Sequence, residues 1–318
     1  IKSGSSIFMD FDNNDMEAPL IVKGNFENKN NGTIVLSNLE NGDLKVNGNF
    51  EDNGTFNYNG RALFFEGSND QEITTSVDPY TIDVLRINKT DGEVIMNQDI
   101  IIDETSDPLQ MSQQSILNLN GHDLTIGKNG VTSQVSFMDD AALKVSDQSD
   151  LILKGNGNMG DLQFDDSNDR TTNKIRYVDV DRGSGDVSLG NQLYLKDCIN
   201  LTSGTLNANG NLTFVSNSSE TAQVGEIPAS GGDISGDVTV ERFVPQSNRA
   251  FRYISSPVNT SGTIFDNLQQ GGLNPGDAGY EAGFGTHITG STDGSNGFDA
   301  TSTGNHSMFE WDEANQDW

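Results

Sequence analysis

Residues 44–216 carry one set of strand-length runs twice, and no other feature limits the fold so tightly. Leu44-Lys45-Val46 returns as Leu143-Lys144-Val145, and the run from Leu63 to Asp70 returns at the same spacing as Leu162 to Asp169. After a short deletion, Leu85-Arg86-Ile87-Asn88 aligns with Val178-Asp179-Val180-Asp181, and Gly92-Glu93-Val94 with Gly185-Asp186-Val187. Ile100-Ile101-Ile102 then aligns with Leu193-Tyr194-Leu195, and Leu117-Asn118-Leu119-Asn120-Gly121 with Leu206-Asn207-Ala208-Asn209-Gly210. Self-similarity of this kind marks a stacked, quasi-one-dimensional architecture in which each unit touches its neighbours. It points to a scaffold before it points to an enzyme.

What the two stretches keep is physically selective. Leu85/Val178 and Ile87/Val180 stay apolar, whereas Arg86 becomes Asp179 and Asn88 becomes Asp181. Side chains alternate faces along a strand, so the retained row is expected to be buried and the altered row to face water. Smaller units sit inside the large ones: Val22-Lys23-Gly24-Asn25-Phe26-Glu27 returns as Val46-Asn47-Gly48-Asn49-Phe50-Glu51. Their spacing, roughly 20–25 residues, suits one coil of a parallel β-solenoid. Asn and Gly at the junctions tolerate left-handed backbone, and Asn at equivalent corners can form ladders between coils. Antiparallel hairpins with Asn-Gly turns are the alternative. The short, evenly spaced apolar runs favour the solenoid.

The composition fits a narrow core. Of 318 residues only 33% are hydrophobic, with 35 glycines, a polarity that would suit disorder without the regular strand-length segments. Helical periodicity is confined to Ile264–Gln270, stopped by Gly271-Gly272, so the chain reads as all-β. A net charge of −29, from 18 Lys+Arg and 47 Asp+Glu, argues against nucleic-acid partners and anionic membrane surfaces, both of which need a positive face. The single cysteine, Cys198, precludes an intramolecular disulfide, and the three histidines have no ligand spacing. No apolar run reaches membrane-span length. The absence of a basic leader and the aromatic stretch broken off at Trp318 suggest a piece of a longer protein.

Residues 1–225 read as continuous β-solenoid repeat, with the internal duplication at 44–127 and 143–216. The breaker cluster from Glu226 to Gly232 is the expected boundary. Beyond it, residues 226–318 carry longer loops and aromatic strands: Val238 to Val244, Ala250 to Ile254, Gly285 to Thr289, and Ser307 to Trp311. These suit a β-sandwich-like module, expected to be truncated at its C-terminus, better than further coils.

The runs Gly54–Ile73 and Val84–Val94, with Leu117–Ile126, are similar to repeats in large secreted proteins of Bacteroidota. The segment Val240-Glu241-Arg242-Phe243, with Arg249 to Pro257, resembles the module that often follows them, as do Gly283–Gly290 and Gly297–Thr301. The chain thus resembles cargo of the type IX secretion system. That resemblance implies an extracellular or outer-cell-surface location, contact with the secretion machinery, and membership of a group of surface proteins and adhesins. It implies little about activity.

Candidate chemistry is sparse. Asp10, Asp12 and Asn14 place oxygen ligands at alternate positions, and Asp15 adds a fourth, as a calcium loop would. Asp15 stands where an EF-hand has Gly, and no Glu sits at the twelfth position, so an acidic turn is the competing reading. Asp165–Asp169 and Asp179-Val180-Asp181 are comparable clusters. A lyase-like scheme would pair Asp179 and Asp181 with Arg176 or Arg182, although Arg176 has the opposite strand parity. No nucleophile elbow, phosphate-binding loop or zinc motif occurs. Phe284, Phe298 and Trp311, with Phe309 and Trp318, could stack on sugar rings or fill a sandwich core. The expectation is a non-catalytic extracellular scaffold or adhesin segment, not an enzyme, with no cofactor other than calcium. Its expected partner is an extracellular surface or polysaccharide, and a polysaccharide-binding or lyase-like β-helix is the alternative.

Overall fold

A computed structural model describes residues 1–10, 15–103, 106–229, 231–245, 252–264, 267–268 and 284–316. The chain divides into two compact units, Ile1–Ala250 and Phe251–Trp318. The first is a parallel β-solenoid of about ten coils, each coil laying one short strand on each of three faces. The first face begins with Ser6–Phe8, Thr33–Val35 and Thr55–Asn57, and continues from Tyr80–Ile82 through Ile100–Ile102, Leu124–Ile126 and Asp150–Lys154. The second face stacks Leu20–Val22, Leu44–Val46, Ala62–Gly67, Val84–Lys89, Leu109–Gln113 and Val135–Phe137. The third stacks Phe26–Asn28, Phe50–Asp52, Gln71–Thr75, Glu93–Met96, Ile116–Asn118 and Ala142–Lys144. Every pairing in these stacks is parallel, so the hairpin alternative does not hold. In the later coils Lys174–Leu189 and Leu193–Asn207 each run as one strand around the corners.

The alternating pattern of the sequence explains the interior. Leu44, Leu63, Leu85 and Leu109 stand directly above one another, and all are fully buried. Complete burial of one such side chain contributes about 1.5–3 kcal/mol, so each coil is stabilised by a few residues whose neighbours are supplied by the next coil. On the third face the first coils stack aromatic rings instead: Phe26 and Phe50 lie face to face with ring centroids 5.1 Å apart. Ile87, Val178 and Val180 are buried as the alternation requires. Arg86 and Asp179, expected in water, are half-buried. Adjacent strands lie about 4.8 Å apart, and outward side chains fold onto their neighbours. Arg86 Nη1 donates to the Asp107 carbonyl at 2.8 Å, and Asp179 accepts from Thr202 Oγ1 at 3.0 Å.

One corner motif recurs at all three edges. Asn57-Tyr58-Asn59-Gly60 turns the chain from the first face to the second, Asn118-Leu119-Asn120-Gly121 from the third to the first, and Asn207-Ala208-Asn209-Gly210 from the second to the third. The second Asn is left-handed each time, with φ of 52°, 51° and 54° at Asn59, Asn120 and Asn209, a conformation Asn accepts at small cost. Its amide donates to a carbonyl of the preceding coil: Leu36 at 2.7 Å, Met96 at 3.1 Å and Leu189 at 3.2 Å. The residue between the two Asn points inward and is buried. These are inter-coil Asn bonds of the kind the sequence suggests, found at all three edges. At the edge between the second and third faces the repeated Asn25 and Asn49 also form a ladder, Asn49 N–H donating to Asn25 Oδ1 at 2.9 Å and Glu72 N–H to Asn49 Oδ1 at 3.2 Å.

This equivalence changes the meaning of the duplication. Leu85–Asn88 lies on the second face, whereas its counterpart Val178–Asp181 lies on the first. Leu117-Asn118 lies on the third face and Leu206-Asn207 on the second. The repeated unit is therefore a strand with its corner, not a whole coil.

Parallel stacking also passes the breaker cluster at 226–232. Asp233–Ser235 pairs with Thr205 to Asn207, and Val238–Val240 with Leu212–Phe214. In the second unit, the strands among the described residues are Thr289–Ser291 and Asp299–Ala300, a parallel pair next to the buried Ile288. Arg252 to Ile254 is not strand. Residues 230, 246–251, 265–266, 269–283 and 317–318 of the stretch read as a sandwich, and with them most of the helical stretch Ile264–Gln270, lie outside the described residues.

Candidate functional site

Ionisable side chains gather in two kinds of place on the solenoid: one outer edge and the interior of the corners. The outer edge lies where the third face turns into the first. Asp78, Asp99, Asp123 and Asp150 occupy it in successive coils, and each of the first three carboxylates accepts the backbone N–H of the aspartate above. These bonds measure 3.1 Å from Asp99, 2.9 Å from Asp123 and 3.0 Å from Asp150. Arg176 closes the column with two bonds of 2.6 Å, from Nε and Nη2 to the two oxygens of Asp150, the bidentate geometry that suits guanidinium and carboxylate. His122 Nδ1 lies 3.4 Å from Asp99. Burial and the neighbouring Asp150 and Asp99 carboxylates push the Asp123 pKa up, while the Asp150 N–H and Arg176 act against them. The hydrogen bond to Asp150 raises that of Arg176.

The corner interiors hold charge that the alternation pattern carries inward. Lys89, two residues beyond Ile87, is fully buried, and its Nζ donates to the Asn69 carbonyl at 2.6 Å and Gln71 Oε1 at 2.7 Å. Gln71 passes the chain on to the Val46 and Gly48 carbonyls at 3.1 and 2.7 Å. Burial lowers the Lys89 pKa, with Asp70 and Asp91 opposing. Arg182, two residues beyond Val180, is also fully buried. Its Nη1 donates to Ser133 Oγ at 2.6 Å and to the Lys154 carbonyl; Nη2 donates to the carbonyls of Ser133 at 2.9 Å, Asn156 at 3.0 Å and Gly157 at 2.7 Å. Burial pulls its pKa down to about 10, which leaves it charged at neutral pH. A third interior station is acidic: buried Asp52 accepts from Asn28 Nδ2 at 2.7 Å and from Tyr80 OH at 2.8 Å, with Tyr58 OH 3.0 Å from Tyr80 OH. Burial drives both tyrosine pKa values well up.

The residues singled out by sequence are scattered. Asp10 accepts the amides of Asn38 and Asn59, each at 3.3 Å; Asp12 and Asn14 lie outside the described residues, and Asp15 is described without them. Among the described residues no group of three or more His, Cys, Asp or Glu could hold a metal ion. Asp165 caps its own turn through the Ser167 N–H at 2.9 Å. Asp179 and Asp181 lie on the outer side of the first face, bonded to Thr202 and to Ser203, the latter at 2.8 Å. Burial raises the Asp179 pKa. Arg176 is clasped to Asp150 and Arg182 points into the core, so neither reaches these two aspartates as the lyase-like scheme requires.

In the second unit, Phe284 and Phe298 are half-buried and Trp311 is exposed. Phe298 meets His306 edge-on at 6.1 Å. The nearby Asp293 is held by the Ser291 hydroxyl at 2.7 Å, and with Ser295 this draws its pKa down to about 2. The aspartate column and the buried cations were missed in the sequence. A signal existed for both: an Asp directly before Ile100, Leu124 and Leu151, and a cation in step with each buried row.

Among the described residues no helix is long and apolar enough to cross a membrane. In comparisons with known proteins, no family, no curated protein and no solved structure matches the chain.

Proposed function

We propose that the chain is a non-catalytic scaffold segment of an extracellular or cell-surface adhesin. The observation that supports this reading is the employment of its ionic groups in holding coils together. Arg176 joins Asp150, Lys144 Nζ reaches Glu93 at 2.7 Å two coils away, and Lys174 reaches Glu220 at 2.5 Å. Groups committed in this way lock the axial stack and are not free to attack or protonate a substrate. The surface location rests on the resemblance of the repeats to secreted proteins of Bacteroidota, and a strongly acidic surface is compatible with an extended protein that stays dispersed. Contact with an outside surface or polysaccharide belongs to the same reading, as does calcium at Asp10 to Asp15.

The test is to incubate the purified chain with acidic and neutral polysaccharides, with calcium or with chelator. The expected result is no new reducing ends and no unsaturated products. Turnover that disappears in Asp179→Asn or Asp181→Asn would replace this reading with the lyase-like alternative. Thermal melts in the same two buffers at matched ionic strength test calcium. A higher melting temperature with calcium is expected, and equality leaves only general screening.

A further inference from the structure

The outward side of the second face departs from the acidic character of the chain. One column there runs Lys45, Phe64, Arg86 and Gln110, and beside it stand Glu66, Asn88 and Ser112. In a chain with 47 acidic residues, these seven positions include one carboxylate, and Glu66 is neutralised by Lys45 at 3.0 Å. Between the columns lies a shallow depression of about 190 Å³, bounded by Phe64, Arg86, Asn88, Gln110, Ser112 and the exposed Met138.

Its hydrogen-bonding groups are partly held and partly open. Asn88 Oδ1 is held by Ser112 Oγ at 3.0 Å and by Gln113 Nε2, and among the described residues its NH₂ has no partner. Among the described residues Arg86 is anchored through Nη1, on the Leu85 and Asp107 carbonyls, leaving Nε and Nη2 as donors. Burial lowers the Arg86 pKa. Among the described residues none bonds the Gln110 amide, as donor or acceptor. Phe64 is half-buried, with Lys45 Nζ 4.3 Å from its ring centroid.

We propose that this depression binds one sugar ring of a neutral polysaccharide. Planar amide and guanidinium donors with an open amide oxygen match the mixed donor–acceptor character of adjacent hydroxyls. The Phe64 ring and Met138 supply apolar contact for the C–H face of the sugar. The volume is below that of pockets for drug-sized ligands, about 300–1,000 Å³, and accommodates a single ring. Neutrality follows from the electrostatics: a net charge of −29 repels a polyanion, whereas a neutral chain meets a strip almost free of carboxylates. The proposal builds on the surface-scaffold reading and specifies what the scaffold attaches to.

The experiment is affinity electrophoresis of the full chain through gels containing a glucan, a mannan, a galactan or a uronate polymer. Retardation is expected in at least one neutral gel and not in the uronate gel. Gln110→Ala removes an amide with no partner among the described residues, so the fold is kept. It should weaken binding about fivefold, the effect of one lost neutral hydrogen bond. Phe64→Ala should weaken it at least as much, with circular dichroism checking that the coils remain. Absence of retardation in every neutral gel, retardation by uronate alone, or wild-type binding in both variants would overturn the site. Those results leave the scaffold reading standing. Cleavage of a polysaccharide would overturn the scaffold reading and leave the binding site intact.

Discussion

Lys89 follows the run Leu85–Asn88, and Arg182 follows the similar run Val178–Asp181, yet the two cations solve the same problem on different faces and by different means. Each stands over a glycine of the preceding coil, Gly67 under Lys89 and Gly155 under Arg182, and both glycines have φ of 113°. Each cation is also tied to a buried serine: the Lys89 N–H donates to Ser115 Oγ at 2.9 Å, and Arg182 Nη1 to Ser133 Oγ. The difference lies in reach. Lys89 Nζ serves two acceptors, Asn69 and Gln71, in the coil next to it. Arg182 serves five in the two preceding coils, since its planar fork has more donors in fixed directions. Where a corner leaves several carbonyls of two coils facing inward, a guanidinium donates to all of them at once. Where it leaves few, an ammonium suffices.

The comparison breaks most readily at the cations themselves. Arg182→Met would take a donor from four carbonyls, of which those of Lys154 and Asn156 keep a second donor in Ser133. A destabilisation of about 3–5 kcal/mol is expected, the range for removing one partner of a buried charged network. Lys89→Met replaces a similar volume with an apolar chain and strands two acceptors, for an expected loss of about 1–2 kcal/mol. Urea midpoints, with hydrogen exchange to locate the loosened coils, measure both. Equal losses would remove donor number as the explanation.

The two glycines sharpen the comparison at smaller scale. A Cβ on Gly155 would lie 2.4 Å from Ser133 Oγ and 2.9 Å from Arg182 Nη1, whereas the nearest atom to one on Gly67 is the Asn47 carbonyl oxygen at 3.8 Å. With the same φ, Gly67→Ala isolates backbone strain, about 1 kcal/mol. Gly155→Ala adds overpacking of about 1–3 kcal/mol. If the two variants melt together, the Arg182 corner is looser than its geometry indicates.

The smallest effect is in the alkaline limb. Burial lowers the Lys89 pKa, so between that lowered value and the ordinary lysine value of about 10.4 the unfolded chain holds a proton that the folded chain has released. Stability attributable to Lys89 therefore rises with pH across that window. Subtracting the Lys89→Met profile from the parent profile should reveal this rise. A difference that is flat or falls there would mean that Lys89 is solvated as well inside as in water.

By itself the sequence determined that the chain is all-β, that its strands stack in parallel coils, and which apolar rows are inside. Alternation of period two and even spacing are local properties, legible wherever they occur, and Leu85, Ile87, Val178 and Val180 obey them. Tertiary structure alone decided which face each run occupies, because the Asn-x-Asn-Gly turn serves all three corners and gives no corner a distinct mark. It decided that Lys89 and Arg182 point inward, since a cation at an inner position survives only if carbonyls from other coils receive its protons. It also made a column of Asp78, Asp99, Asp123 and Asp150 and a depression between Phe64 and Gln110. Residues one coil apart are strangers in sequence until winding brings them within one strand spacing of each other.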